Sequence, residues 1–152
     1  MNTKGFTLIE MIFAIMIIGI ITAISINSFQ NAQLKKQQKA IVESIISYID
    51  KAKADTQAGK GGTQHGIKFN ENEFVLFSGS NFNPNDSSNR VISIDPRFNI
   101  ETKLTNQDKT LFFYRLFGTA NEPTEITIKH IDDRIPPVSF SVDDMGSVSM
   151  IE

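Results

Sequence analysis

The chain has 152 residues, with 15 Lys and Arg against 17 Asp and Glu, a net charge of −2, and no cysteine. That length holds one domain with a short appended segment. The missing cysteine excludes disulfides, zinc–thiolate centres and cysteine nucleophiles.

The charge is unevenly spread. Before Lys35 the only charged side chains are Lys4 and Glu10. From 27 to 62 there are six lysines against Glu43, Asp50 and Asp55, and from 63 onward eight basic residues face thirteen acidic ones. This acidic remainder argues against nucleic-acid binding, which needs a cationic face.

The first predicted element is the apolar run from Phe6 to Ile26. As a helix it reaches roughly 30 Å, the thickness of a bilayer's hydrocarbon core. It is too long for the apolar part of a cleaved secretory signal, and no small-x-small site follows it. It fits a signal anchor, although Lys35, Lys36 and Lys39 oppose a simple reading of orientation from Lys4. A carboxylate inside such a run costs about 2.5–3.5 kcal/mol to insert, so Glu10 needs a counter-charge or a place at the interface.

The stretch KGFTLIE resembles the N-terminal signal of type IV prepilins and type II secretion pseudopilins. That resemblance implies cleavage between Gly5 and Phe6 by a prepilin peptidase and N-methylation of Phe6. It also implies that Glu10 serves filament assembly, pairing with the Phe6 amine of a neighbouring subunit. The implied partners are other pilin or pseudopilin subunits, the peptidase, an inner-membrane assembly platform and the membrane itself. The implied location is the inner membrane, crossed once, with the rest of the chain in the periplasm until assembly.

The helical pattern continues past the apolar run. Phe29, Leu34, Ile41, Ile45, Ile49 and Ala52 recur at helical spacings, and Lys35, Lys39, Glu43, Asp50 and Lys53 lie mostly elsewhere. No proline precedes Pro84, and Gly59, Gly61 and Gly62 form a stop signal. One helix of about fifty residues is predicted, although Ser25, Asn27 and Ser28 form a patch of weak propensity.

After Gly62 the period becomes two. Strands are predicted at His65–Phe69, Glu73–Ser78, Arg90–Asp95, Phe98–Leu104, Leu111–Phe117, Thr124–Ile131, Pro137–Val142 and Ser147–Ile151, separated by turn residues. The 111–117 segment, LFFYRLF, is apolar on both faces, as for a strand buried on both sides or at a contact surface. The fold class is therefore α+β, a long N-terminal helix packed on a head made of one small antiparallel β-sheet, and the resemblance implies that this is a pilin-like fold. The domains expected are a leader at 1–5, a transmembrane and filament-core helix at 6–26, an amphipathic helix at 27–60 and the β domain at 61–152. The closing hairpin resembles that of H-type pseudopilins and related minor pilins, which implies a minor subunit.

The remaining groupings point to structure rather than chemistry. His65 and His130 stand alone, without a metal-protease, nucleophile-elbow or phosphate-loop motif. Lys60-Gly61-Gly62-Thr63 lacks the first glycine of a phosphate loop and reads as a helix stop. Asp132-Asp133 and Asp143-Asp144 are turn residues without a ligand ladder for calcium. The polar segment 78–89 is a solvated loop, or one that presents Phe82 to a filament neighbour or a secreted substrate. Phe69, Phe74, Phe77, Phe113 and Phe140 are candidates for the core between sheet and helix. No cofactor, metal or catalytic residue is expected, and Arg90, Arg97 and Arg115 are candidates for a local basic patch. The second reading, from another class, is a signal-anchored extracytoplasmic binding module that never polymerises.

Overall fold

The computed structural model describes residues 5–151, apart from the side chains of 23–28. The leader residues 1–4, Lys4 among them, lie outside the described residues. The chain divides into two compact units, 1–36 and 37–152. Its first element, α1, is an α-helix at Leu8–Gln57. Eight strands follow: β1 His65–Phe69, β2 Glu73–Ser78, β3 Arg90–Ser93, β4 Phe98–Thr102, β5 Thr110–Phe112, β6 Thr124–His130, β7 Val138–Val142 and β8 Val148–Ile151.

In the first unit every described side chain from Phe6 to Thr22 is exposed, as is Phe29. Phe29 therefore does not join the buried face that helical spacing assigns to it. Among the described residues no helix is long and apolar enough to cross a membrane.

In the second unit the buried stripe of α1 is Gln38, Ile41, Val42, Ile45, Ile49, Ala52 and Thr56. This three-to-four spacing puts one face of the helix into the core. Buried Gln38 donates its amide to the carbonyls of Ile128 at 2.9 Å and Pro136 at 3.0 Å. At the other end the Thr56 hydroxyl accepts the His65 N–H at 2.8 Å. The helix stops because Gly59 takes the left-handed conformation at φ 64°, which suits a residue without Cβ. A single 3-10 turn, Lys60–Gly62, then leads to the first strand.

The strands form two four-stranded antiparallel sheets, ordered β3-β2-β1-β5 and β4-β6-β7-β8, where alternation alone suggests one. Neighbours in sequence mostly pair, but β5 returns to β1 and β6 to β4. In β6 Ile126 and Ile128 are buried while Thr127 and Lys129 are not, as their alternation predicts.

Two expectations are corrected here. LFFYRLF is not one strand: β5 ends at Phe112 and the chain reverses through residues 114–118. The Tyr114 N–H reaches Thr119 C=O and the Gly118 N–H reaches Tyr114 C=O, both at 2.9 Å. Gly118 accepts φ 68°, and Leu116 is forced to φ 80° with Leu116 and Phe117 exposed. Phe77, although buried, does not sit between sheet and helix. Phe74 meets Tyr48 of α1 edge-on at 5.3 Å. Phe77, three residues further along the strand, points to the opposite face. There it lies over Gly66 and meets Phe82 at 5.6 Å.

Candidate processing and assembly site

Gly5, Phe6 and Thr7 precede the helix and have no regular secondary structure. The Gly5–Phe6 peptide bond is thus free of helical hydrogen bonding, as a bond presented to a peptidase must be. A Cβ built on Gly5 would meet nothing within 4 Å, and its φ is not in the left-handed range. Neither packing nor backbone geometry among the described residues requires glycine there. Phe6 is 86% exposed.

Thr7 and Glu10 form a reciprocal cap. The Thr7 N–H and hydroxyl both donate to Glu10 Oε2 at 2.8 Å, and the Glu10 N–H reaches the Thr7 hydroxyl at 3.4 Å. With Leu8 as the first helical residue, Thr7 is the N-cap and Glu10 the third helical residue, the arrangement of a capping box. The carboxylate also sits where the helix presents orphan N–H groups and partial positive charge. The signal for this was in the sequence, because Thr7-Leu8-Ile9-Glu10 is a T-x-x-E quartet ahead of an apolar run. Sequence reasoning offered Glu10 an amine or a place at the interface and missed its partner inside the chain, Thr7. It also began the helix at Phe6, two residues early. Among the described residues, Glu10 Oε1 receives no hydrogen bond.

The second unit offers structural rather than chemical groupings. His65 and His130 are both buried and both fasten turns. His65 Nε2 lies 3.1 Å from Lys60 C=O and its Nδ1 lies 3.1 Å from the Ser78 hydroxyl. His130 Nδ1 accepts the Asp132 N–H at 3.1 Å, and the ring meets Phe98 edge-on. The paired acids also serve turns. Asp143 accepts the Ser147 N–H at 2.7 Å, and Asp133 pairs with Lys129 at 3.4 Å. Among the described residues no group of acids or histidines could hold a metal ion.

The three arginines weighed as a basic patch are each engaged separately. Arg97 pairs with Asp95 at 2.6 Å and reaches Gln37. Arg90 lies over the Tyr48 ring, and Arg115 donates to Gly62 C=O. The Asp95 carboxyl is held down at about 2 by hydrogen bonds from Arg97. Phe82 turns inward, its ring under the Lys68 ammonium at 4.8 Å, rather than standing out from the 78–89 loop.

Comparison with known proteins extends this geometry. Residues 1–26 match the family described as "Prokaryotic N-terminal methylation motif". A search of curated proteins finds no match. Among solved structures, the fold is similar to the minor pseudopilin EpsH from the Type 2 Secretion System of Vibrio cholerae. The TM-score is 0.57 at 12% identity, over 76% of this chain and 96% of that one. It is also similar to the type IV minor pilin FimU of Pseudomonas aeruginosa, with a TM-score of 0.59 at 11% identity, over 78% of this chain and 90% of that one. The chain carries a prepilin-type N-terminus on a pilin-like fold. At such low identities the likeness to these structures is a likeness of fold. The pilin-like α+β class expected from the sequence is the class observed, with its strands in two sheets.

Proposed function

We propose that this chain is a minor structural subunit of a type IV pilus-like filament or a type II secretion pseudopilus. The observation that carries the reading is the methylation motif at residues 1–26, joined to a capped helix whose described apolar side chains from Leu8 to Thr22 are all exposed. An uncovered apolar surface of that extent calls for lipid or other apolar helices.

In this reading a prepilin peptidase cuts between Gly5 and Phe6, and Phe6 becomes the methylated first residue. Residues 6–26 hold the subunit in the inner membrane and later pack among their copies in the filament core. Glu10 Oε2 stays on Thr7 and closes the helix start. Oε1 takes the Phe6 amine of the neighbouring subunit. Two opposite charges on separate subunits lower each other's cost in an apolar medium and fix the axial step between subunits. The second unit then faces outward. No enzymatic step is assigned to it.

Intact mass of the chain recovered from the cells that make it tests this. The expected mass lacks Met1 to Gly5 and carries one added methyl group. A chain that keeps all five residues is instead a signal-anchored module that does not polymerise.

A further inference from the structure

Each sheet has two edges, and an edge strand exposes backbone N–H and C=O groups that another strand can pair with. Two of the four edges are sealed within the chain, and a third bears a charge. The outer side of β5 is sealed by two amides. Asn106 takes the Thr110 N–H and gives to its C=O, both at 2.8 Å. Asn121 takes the Phe112 N–H with its side chain at 2.9 Å and gives its own N–H to Phe112 C=O at 3.0 Å. The outer side of β4 is covered by the β1–β2 turn, where Ile100 N–H reaches Glu71 C=O and the Asn72 amide reaches Phe98 C=O. β3 carries Arg90, a charge of the kind that discourages strand addition.

β8 has none of these protections. Its residues Val148, Ser149, Met150 and Ile151 include no charge and no proline, and Met150 is 55% exposed. The ladder phase follows from the Asp143 N–H to Ser147 C=O bond and the Val142↔Val148 register. Alternation along an antiparallel pair then turns the N–H and C=O of Val148 and Met150 away from β7. Among the described residues those four groups have no partner. Val148 and Met150 also share the face of buried Val142 and Phe140, their register partners. The apolar face of this sheet thus runs out to its free edge.

We infer that β8 is a pairing edge for the β8 of a second copy of this chain, antiparallel about a two-fold axis through Ser149. In that register Val148 of each copy stands opposite Met150 of the other. The four outward groups of each strand are then satisfied by four N–H···O=C bonds. Both Val148–Met150 pairs fall on the same apolar face, extending each core into the other. Ser149 meets Ser149, two small uncharged residues, so no like charges are juxtaposed. The contact is isologous and closes on itself. It describes a paired state of the subunit, independent of filament packing.

The absence of cysteine gives a test without background. Opposed residues of a non-hydrogen-bonded pair have Cβ atoms roughly 4.5 Å apart, near the reach of a disulfide. The full-length Ser149→Cys chain, oxidised in the cells that make it with copper phenanthroline, should run on a non-reducing gel at twice the chain mass. Ser141→Cys sits one strand inside the edge, so two copies of it stand about 14 Å apart at three strand spacings and should not cross-link. Adding Met150→Pro to Ser149→Cys removes only an outward N–H, which proline tolerates at an edge. It should cut the cross-linked fraction about tenfold with the melting temperature retained. Met150→Lys, with its N–H intact, should do the same and serves if the proline variant does not fold. A monomeric Ser149→Cys chain, cross-linking only to a different protein, equal cross-linking of Ser141→Cys, or no loss with either Met150 variant would overturn the inference.

Discussion

Glu10 and Thr7 hold one another: a single carboxylate oxygen takes both the backbone N–H and the hydroxyl of Thr7 at 2.8 Å. The acid in the apolar run therefore has a task before any neighbour arrives. Two variants separate the two tasks. Gln at the third helical position still completes a capping box, so Glu10→Gln should keep the helix start while removing the charge. Incorporation of Glu10→Gln into filaments should fall about tenfold or more, given the roughly 2.5–3.5 kcal/mol that a buried counter-charge offsets. Normal incorporation, scored by immunoblot of sheared filaments, would show that the cap is the whole role of Glu10.

Thr7→Val reverses the experiment. It removes the capping hydroxyl, at a cost of about 1 kcal/mol to the helix start, and leaves the charge. Fraying of the first turn, read as faster amide exchange at Glu10 and Met11, whose N–H groups bond to Thr7, is expected with filament incorporation largely kept.

Phe82 pins the 78–89 loop through Phe77 and Lys68. An edge-on aromatic pair and a cation over a ring each contribute about 0.5–1 kcal/mol. Phe82→Ala should therefore lower stability by about 1–2 kcal/mol in chemical denaturation and admit proteases between Ser80 and Ser88. A loop already open in solution would show neither change.

Acid sensitivity of the second unit should track its restrained carboxylates. Asp95 is lowered to about 2 by Arg97, Asp86 by Ser88 and Glu122 chiefly by the Thr105 hydroxyl. A lowered folded-state value means stability is fully present above the unfolded values of about 4. It is lost as pH falls through the folded ones. The melting temperature should be flat from pH 7 to about 5 and decline from about 4 toward 2. Arg97→Ala should remove the Asp95 share of that decline. An unchanged acid limb in Arg97→Ala would contradict this.

Gly66 is required by crowding rather than by backbone angle. A Cβ there would lie 2.7 Å from Leu111 C=O and 2.8 Å from the Phe77 ring. The backbone oxygen cannot yield cheaply, so Gly66→Ala should destabilise by at least about 1–3 kcal/mol, measurable as a lowered denaturation midpoint.

Much of this was readable in the residues. Glycines 59, 61 and 62 announce the helix stop, and the period of two in Thr124–His130 gives both the strand and its buried face. KGFTLIE carried the N-terminal signal, and its threonine carried a cap that went unread. What periodicity cannot supply is non-local pairing. Nothing local tells β5 to pair with β1, or β6 with β4, so two sheets were read as one. LFFYRLF misled because apolar content was taken for extent. A tight reversal closed by Gly118 brings Phe113 back to Ala120 and leaves Leu116 outside. Phe77 was misassigned by composition, although its three-residue offset from Phe74 marks the opposite face.

The last turns of α1 also act as a fastener. Lys53 grips the carbonyls of Met145 and Gly146, and Gln57 grips that of Phe117. Two loops distant in sequence thus depend on the same few helical residues. Thermal fraying from Gln57 backward releases both at once, so hydrogen exchange at 114–118 and 143–147 should speed up in step. The end of the helix sets the local melting of the β hairpins around it, as one cooperative piece.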